Sequence, residues 1–147
     1  MDCIMENLYI SGMVHAKNKV LLKHNKITHI LIASMYIKPP YKDFIYKTIP
    51  AHDKPSFAIN AYFQQAIEFI DEGRKHGKVL VHCMLGVSRS STIIIAYVMA
   101  TLHLSYDDAF KYVKVKHFQA SPNIGFVGQL KAFALALKKK RENIIKS

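Results

Sequence analysis

A cysteine and an arginine six positions apart mark the segment of this chain whose residue types could bind and attack a phosphate group. Cys83 follows a short apolar run, residues 79–82, that is typical of a buried strand. Arg89 stands just before residues 93–100, a longer apolar run that indicates a helix. A tight loop containing Gly86 joins the two. Because a thiolate is a nucleophile and a guanidinium can bind two phosphate oxygens at once, the segment predicts phosphoryl chemistry.

The expected strand, loop and helix would supply the rest of an anion site. The first N–H groups of a helix have no partner inside the helix, and the helix dipole places partial positive charge there. A loop curled onto that end adds further N–H groups that cradle a tetrahedral anion. The same field favours the thiolate form of a cysteine at this position. The residues predicted to bind phosphate are Met84, Leu85, Gly86, Val87, Ser88 and Arg89.

Cys83 and Arg89 also have an ordinary structural interpretation. Cysteine is among the residues most often buried, and a cysteine that ends a strand commonly only packs. An arginine six residues after a cysteine arises by chance in roughly one case in twenty, at the background frequency of arginine. The functional interpretation is favoured by the complete pattern, in which Gly86 lies between the two residues and Ser90 and Ser91 follow.

The rest of the chain alternates between strand patterns and helix patterns. Runs rich in β-branched and aromatic residues predict strands at 7–12, 27–33, 43–49 and 79–82. Apolar residues at helical spacing predict helices at 16–25, from 56 to 70, at 93–100, from 105 onwards and after 122. This order predicts an α/β fold with a central twisted, mostly parallel sheet flanked by helices. The phosphate loop would lie at the C-terminal end of a central strand, where α/β proteins bind ligands.

Length and composition indicate one domain over residues 1–147, with a core at about 7–137 and a basic C-terminal helix end at 138–147. No apolar run reaches the ~20 residues that a membrane-spanning helix needs, and the first residues do not resemble a signal peptide. The two cysteines are far apart in the sequence and do not form a disulfide framework, while a reactive thiolate requires a reducing compartment. We therefore expect the protein in the cytoplasm or the nucleus.

The formal net charge of +11 predicts attraction to anionic partners, which include phosphoproteins, nucleic acids and acidic membranes. Lysines are spread along the chain, with one basic run at 138–141. Cations at the end of a helix suit the negative pole of its dipole, so we interpret this run as a solvated helix end. The alternative interpretation is a surface for an anionic partner.

Cleaving a phosphate ester also requires an acid that protonates the leaving oxygen. The chain has only ten acidic residues, and most of the candidates lie on predicted helix faces or caps. Asp53 is different because it lies in a loop between a predicted strand and the helix that begins near residue 56. Such a loop points to the same edge of the sheet as the phosphate loop. Asp53 is therefore the candidate acid, and its alternative role is that of a turn former at a helix N-terminus.

Residues 82–91, His-Cys-Met-Leu-Gly-Val-Ser-Arg-Ser-Ser, resemble the signature loop of the cysteine-dependent protein phosphatases of the dual-specificity branch. The similarity extends from about residue 7 to residue 137 and is most specific in this loop. It implies that Cys83 attacks phosphorus while Asp53 protonates the leaving oxygen and later activates water. It also implies that Ser90 donates a hydrogen bond to the departing sulfur.

Two further residues receive supporting roles. The segment Ser121-Pro122-Asn123 is similar to a family motif, which implies that Asn123 supports the phosphate loop. We expect His82 to order the loop through hydrogen bonds, with catalytic proton transfer as the alternative. The implied mechanism uses no metal and no cofactor, and no cluster of ligand residues at metal-binding spacing occurs in the sequence.

The resemblance is to the small, atypical members of this branch, and it implies phosphoprotein substrates. The chain has no tryptophan and therefore lacks the Trp-Pro-Asp loop of the larger tyrosine-specific phosphatases. A shallower cleft that admits phosphoserine and phosphothreonine as well as phosphotyrosine is implied by analogy. The loop also lacks the lysines that phosphoinositide-directed relatives usually have.

Two alternatives to this function remain open at the level of sequence. The +11 charge motivates the same chemistry on RNA 5′-phosphates or phosphoinositides, although no obligatory nucleic-acid partner is expected. The other alternative is a non-catalytic module that binds phosphoproteins, against which the presence of Cys83, Arg89 and Asp53 argues. No motif specifies an oligomeric state.

Overall fold

A mostly parallel sheet forms the centre of the molecule. The structure, a computed structural model, describes residues 1–146. Within them the strands are β1 (Asp2–Met5), β2 (Leu8–Ser11), β3 (His29–Ala33), β4 (Ile45–Ile49) and β5 (Val79–His82). Their order in the sheet is β1-β2-β5-β3-β4, with β1 antiparallel to β2 and the other pairs parallel. The α/β class and the central position of the strand before Cys83 are therefore confirmed.

Helices cover both faces of this sheet. They are α1 (Met13–Ala16), α2 (Lys19–His24), α3 (Phe63–His76), α4 (Arg89–Leu102), α5 (Tyr106–Lys116) and α6 (Ile124–Lys146), and a 3-10 helix (Ile59–Tyr62) leads into α3. Among the described residues, no helix combines the length and the apolar character needed to cross a membrane. The basic run 138–141 lies on the exposed C-terminal part of α6, and the last residue of the predicted helix end, Ser147, lies outside the described residues.

The two faces of the sheet bury two groups of apolar side chains. Ile30 and Ile32 of β3 and Leu80 of β5 pack in the layer that contains Leu22 of α2. On β5 the residues on either side of Leu80, Val79 and Val81, point to the opposite face and belong to the core layer that α3 to α6 cover. Both faces of β5 are therefore buried, and α4 is buried from Ser90 to Met99. The loop that joins β5 to α4 is held between two rigid elements.

The structure differs from the sequence prediction in three places. Strand β1 was not predicted, and the core extends beyond the expected start at residue 7 because Ile4 is fully buried. The single helix expected at 16–25 is two short helices, because Asn18 begins a new one by accepting a hydrogen bond from Leu21 N. The helix expected from residue 56 starts as the 3-10 helix and becomes α-helical only at Phe63.

Candidate active site

The loop from residue 83 to residue 88 forms a cradle whose backbone carbonyl groups are bonded to elements around it. Met13 N and Ser121 N donate to Met84 O and Val87 O over 2.9 and 2.8 Å. Three further carbonyls have partners: Cys83 O contacts His82 Nδ1, Gly86 O contacts His117 Nε2, and Ser88 O accepts from Thr92 N. In a trans peptide the C=O and the next N–H point in opposite directions, so the N–H groups after these carbonyls point into the cradle. They belong to Met84, Leu85, Val87, Ser88 and Arg89.

Gly86 allows the loop to turn. Its φ of 72° lies in the left-handed region that favours glycine. A Cβ at this position would lie 2.9 Å from Gly12 N and 3.0 Å from Ser11 C, which is backbone that cannot move aside cheaply. The turn also aims Gly86 N at Cys83 Sγ, 3.3 Å away. The left-handed φ and the neighbouring backbone together explain why a glycine occupies this turn.

Cys83 lies on the floor of the cradle with its thiol among hydrogen-bond donors. It is only 2% exposed. Ser90 Oγ lies 3.1 Å from Cys83 Sγ, and helix α4 begins at Arg89 with its N-terminus beside the loop. Donors and the positive pole of a helix stabilise a thiolate over a thiol. The two contacts and the helix end place Cys83 where the functional interpretation of the sequence requires a nucleophile.

The Arg89 side chain is anchored by groups that follow two neighbouring strands. Its Nη1 donates to Ser34 Oγ and to Ala51 O, each over 3.2 Å. Ser34 follows β3 and Ala51 follows β4, so the carboxyl ends of parallel strands meet at the cradle. Ser34 was not among the predicted site residues, although a polar residue directly after a fully buried strand is a signal for this edge of the sheet.

Asp53 is an exposed side chain at the rim of the cleft. The cleft has a volume of about 180 Å³ and is lined by Asp53, Cys83, Met84, Leu85, Val87, Ser88 and Arg89. The loop that carries Asp53 lies between β4 and the 3-10 helix, as the strand pattern indicated. The structure thus brings the candidate acid to the same cleft as the cysteine and the arginine.

Asn123 joins the phosphate loop to the Asp53 loop. Its backbone N–H donates to Ser88 Oγ over 3.0 Å, and its Nδ2 donates to Asp53 Oδ1 over 3.0 Å. Its Oδ1 accepts from Phe126 N over 2.9 Å, which caps the start of α6. One residue therefore contacts both loops and the helix that follows, a placement suited to the support implied by the resemblance.

His82 is buried beneath the loop and is neutral at physiological pH. Burial lowers its pKa to about 4, against a smaller opposing effect of the Cys83 backbone. Its Nδ1 lies 3.2 Å from Cys83 O, so its contact is with the loop backbone. This placement fits an ordering role better than the alternative of proton transfer, which needs a pKa near the working pH.

The cradle, its buried thiol, the guanidinium and the rim carboxylate together define a cysteine-based phosphatase. Residues 8–135 match the family model described as dual specificity phosphatase, catalytic domain, and the chain belongs to this family. It is 38% identical over 137 residues to dual specificity protein phosphatase 1B of Arabidopsis thaliana, covering 92% of this chain and 82% of that protein. With human dual specificity protein phosphatase 22 the identity is 40% over 134 residues, covering 90% and 73%.

The fold comparison agrees with the family assignment. The crystal structure of DUSP15 superimposes with a TM-score of 0.89 at 35% identity, covering 98% of this chain and 94% of that one. The chain is therefore a protein phosphatase of the dual-specificity class, as the signature loop predicted.

Proposed function

We propose that the chain hydrolyses phosphate esters of tyrosine, serine and threonine side chains in proteins through a phosphocysteine intermediate. The observation that carries the proposal is the position of Cys83 Sγ on the floor of the cleft that Arg89 and Asp53 also line. A phosphate held by the inward N–H groups would have its phosphorus directly above this sulfur. The three functional groups then surround one substrate atom.

In the first step Cys83 Sγ attacks phosphorus in line with the bond to the leaving oxygen. The S–P bond forms as the P–O bond breaks, and charge on the equatorial oxygens is stabilised by the loop N–H groups and Arg89. Asp53 transfers its proton to the departing oxygen, so the side chain of the substrate leaves as a neutral hydroxyl. Asp53 is left as a carboxylate, and Cys83 is left as the phosphocysteine intermediate.

In the second step a water molecule takes the place of the departed hydroxyl. The Asp53 carboxylate removes a proton from this water as its oxygen attacks phosphorus, and the P–S bond breaks. Ser90 Oγ, 3.1 Å from the sulfur, donates a hydrogen bond to the thiolate that is released. Inorganic phosphate leaves, and Asp53 again holds its proton.

The shape of the cleft favours phosphorylated side chains on a protein surface. The cleft is small, Asp53 is exposed, and Leu85 at the rim is 75% exposed. A shallow opening admits the short phosphoserine and phosphothreonine side chains as well as phosphotyrosine. The rim of the loop carries Met84 and Leu85, and neither supplies a cation for the additional phosphates of a phosphoinositide headgroup.

Hydrolysis of an aryl phosphate in the presence of EDTA tests the chemistry. We expect turnover that vanadate inhibits and that Cys83→Ser reduces to background, because a hydroxyl is not ionised at neutral pH. Cys3→Ser is the matched control, since Cys3 is exposed and lies outside the cleft. Turnover that persists in Cys83→Ser, or that EDTA abolishes, would contradict the mechanism.

A substrate panel tests the proposed specificity. We expect kcat/KM to be higher for phosphotyrosine and phosphothreonine peptides than for a 5′-phosphorylated RNA or a phosphoinositide. A higher kcat/KM for RNA or lipid would replace the proposed substrate class while leaving the mechanism intact.

The two free thiols, Cys3 and Cys83, suit a reducing environment, and we propose the cytoplasm or the nucleus as the location.

A further inference from the structure

A histidine that has no part in the mechanism above connects the phosphate loop to the first strand. His117 follows α5, and its side chain is fully buried, with 0% exposure. Its Nε2 lies 2.5 Å from Gly86 O, and its Nδ1 lies 2.6 Å from Asp2 Oδ2. The imidazole therefore bridges β1 and the turn of the loop.

The chemistry of these contacts specifies the protons that the pair holds. A backbone carbonyl can only accept, so His117 Nε2 must carry a hydrogen. An ionised carboxylate also only accepts, so Nδ1 must carry a hydrogen as well, or Asp2 must hold it instead. Both contacts are satisfied only when Asp2 and His117 together bind one proton more than a neutral imidazole and a carboxylate do.

We propose that His117, held by Asp2, is a positioning residue that fixes the peptide between Gly86 and Val87. The inference rests on the proposed function, in which the N–H of Val87 binds phosphate. A glycine at φ 72° is free to adopt other conformations, so an external bond to its carbonyl holds the orientation. A donor on that carbonyl also polarises the peptide and strengthens the N–H on its other side.

Other titratable groups face the same region and have hydrogen-bond partners other than Asp2 and His117. A cavity of about 450 Å³ beside the loop is lined by Asp2 and His117 together with the Met1 amino group, His15 and Lys116. The Met1 amino group contacts His15 Nδ1, while Lys116 Nζ donates to Ile4 O and Tyr112 OH. Across the loop the ionisable groups are Cys83 and, beneath the loop, His82. Because Asp2 is 41% exposed, the proton of the pair can exchange with solvent.

Two amide substitutions separate the contacts of His117. In His117→Gln the side-chain amide nitrogen can take the place of Nε2 and donate to Gly86 O. In His117→Asn it can take only the place of Nδ1, next to Asp2. Vanadate affinity is measured by isothermal titration calorimetry. It should fall about tenfold in the Asn variant, the effect of losing one hydrogen bond to the loop, and should be largely retained in the Gln variant. Equal losses in both variants would overturn the proposal.

The pH dependence of Asp2→Asn gives a readout that a merely structural role would not change. In the wild type, raising the pH removes the shared proton, and the single remaining ring proton goes to the carboxylate because that bond is charge-assisted. Gly86 O then loses its donor. In Asp2→Asn the amide can donate to Nδ1, so a neutral ring keeps its hydrogen on Gly86 O.

We therefore expect the ratio of vanadate affinities, Asp2→Asn over wild type, to increase by about tenfold between acidic and alkaline pH, the value of one such bond. Asp43→Asn, at an exposed carboxylate paired with Lys19 and Lys23, is the matched control and should give a constant ratio. A constant ratio for Asp2→Asn would refute the proposal. Failure of the proposed function would be seen separately, as turnover that survives Cys83→Ser.

Discussion

Asp53 and Cys83 occupy opposite ends of one short cleft, and their exposure differs accordingly. Cys83 is 2% exposed on the floor, whereas Asp53 is exposed at the rim and bonded through Oδ1 to Asn123. The leaving oxygen of a bound ester lies on the side of phosphorus opposite the sulfur. The rim is therefore the place from which a proton can reach it, and this geometry supports Asp53 as the acid.

Replacing Asp53 by Asn should make turnover depend strongly on the leaving group. The amide keeps a hydrogen-bonding side chain at this position but removes the proton donor, a contribution typically worth ~10²–10⁴-fold in rate. We expect a loss of that order in kcat for phenyl phosphate and phosphothreonine peptides, and a much smaller loss for aryl phosphates whose leaving groups need no protonation. A series of aryl phosphates measures this directly. A uniform loss across the series would assign the acid to another residue.

His82 gives the folded state a dependence on pH. Because its pKa is lowered to about 4 by burial, the unfolded chain binds more protons than the folded one between about pH 4 and the ordinary histidine value of ~6.5. Stability thus increases with pH across this window and is lost as pH falls through it. Urea unfolding of wild type and His82→Asn at several pH values should show a difference of a few kcal/mol that narrows below about pH 6. A difference independent of pH would contradict the assignment of a neutral, buried imidazole.

The start of helix α6 positions the Asp53 loop. Asn123 caps this helix and bonds Asp53, and the next turn approaches the loop at Gly125. A Cβ on Gly125 would lie 2.0 Å from Pro55 O, closer than any real contact. The helix and the loop can come this close only because residue 125 has no side chain.

Gly125→Ala should therefore displace the acid and leave the nucleophile in place. We expect a lower kcat, destabilisation of about 1–3 kcal/mol from overpacking, and little change in vanadate affinity. Gly128→Ala is the matched control, because a Cβ there meets no atom within 4 Å and alanine favours a helix by about 1 kcal/mol. Kinetics and thermal unfolding of both variants test this. Equal effects of the two substitutions would mean that Gly125 does not determine how closely α6 approaches the Asp53 loop.

The elements that were predicted correctly are those whose patterns are local. Strands β3 and β5 are continuous buried runs, and α5 begins at the predicted place, where Ser105 accepts a hydrogen bond from Asp108 N. Strand β1 has only Ile4 fully buried in four residues, so its pattern was too weak to detect. It forms because β2 supplies an edge to pair with, and an edge of a sheet is a tertiary feature.

The candidate site also has a part that a local sequence pattern reveals and a part that depends on long-range contacts. The loop with Cys83 and Arg89 lies within one short segment, so spacing and residue type sufficed to find it. Ser34 contacts Arg89 from 55 residues away, and His117 contacts Asp2 across 115 residues. No local pattern links such pairs, because the sheet order and the packing of α5 bring them together.

The excess of positive charge over the whole surface affects the rate at which charged substrates reach the protein. The chain has 21 Lys and Arg against 10 Asp and Glu, and the basic run of α6 is exposed at the far end of the helix from Asn123. A net field of this kind raises the rate of encounter with acidic partners without specifying one of them. The net charge is a property of the surface, whereas the residues of the cleft determine the reaction.

Salt should therefore affect acidic phosphopeptides more than small aryl phosphates. Screening shortens the reach of surface charge to about 10 Å at 0.1 M salt. Between low and high salt, kcat/KM for a phosphopeptide with acidic flanks should fall several-fold, mainly through KM, while kcat stays nearly constant.

Replacing Lys138, Lys139, Lys140 and Arg141 by Gln removes four of the 21 cations and tests whether α6 contributes to this salt effect. If the basic run is a solvated helix end, most of the salt dependence will remain in this variant, because the other 17 cations are distributed along the chain. Loss of the whole salt effect would instead assign binding of the anionic partner to the end of α6.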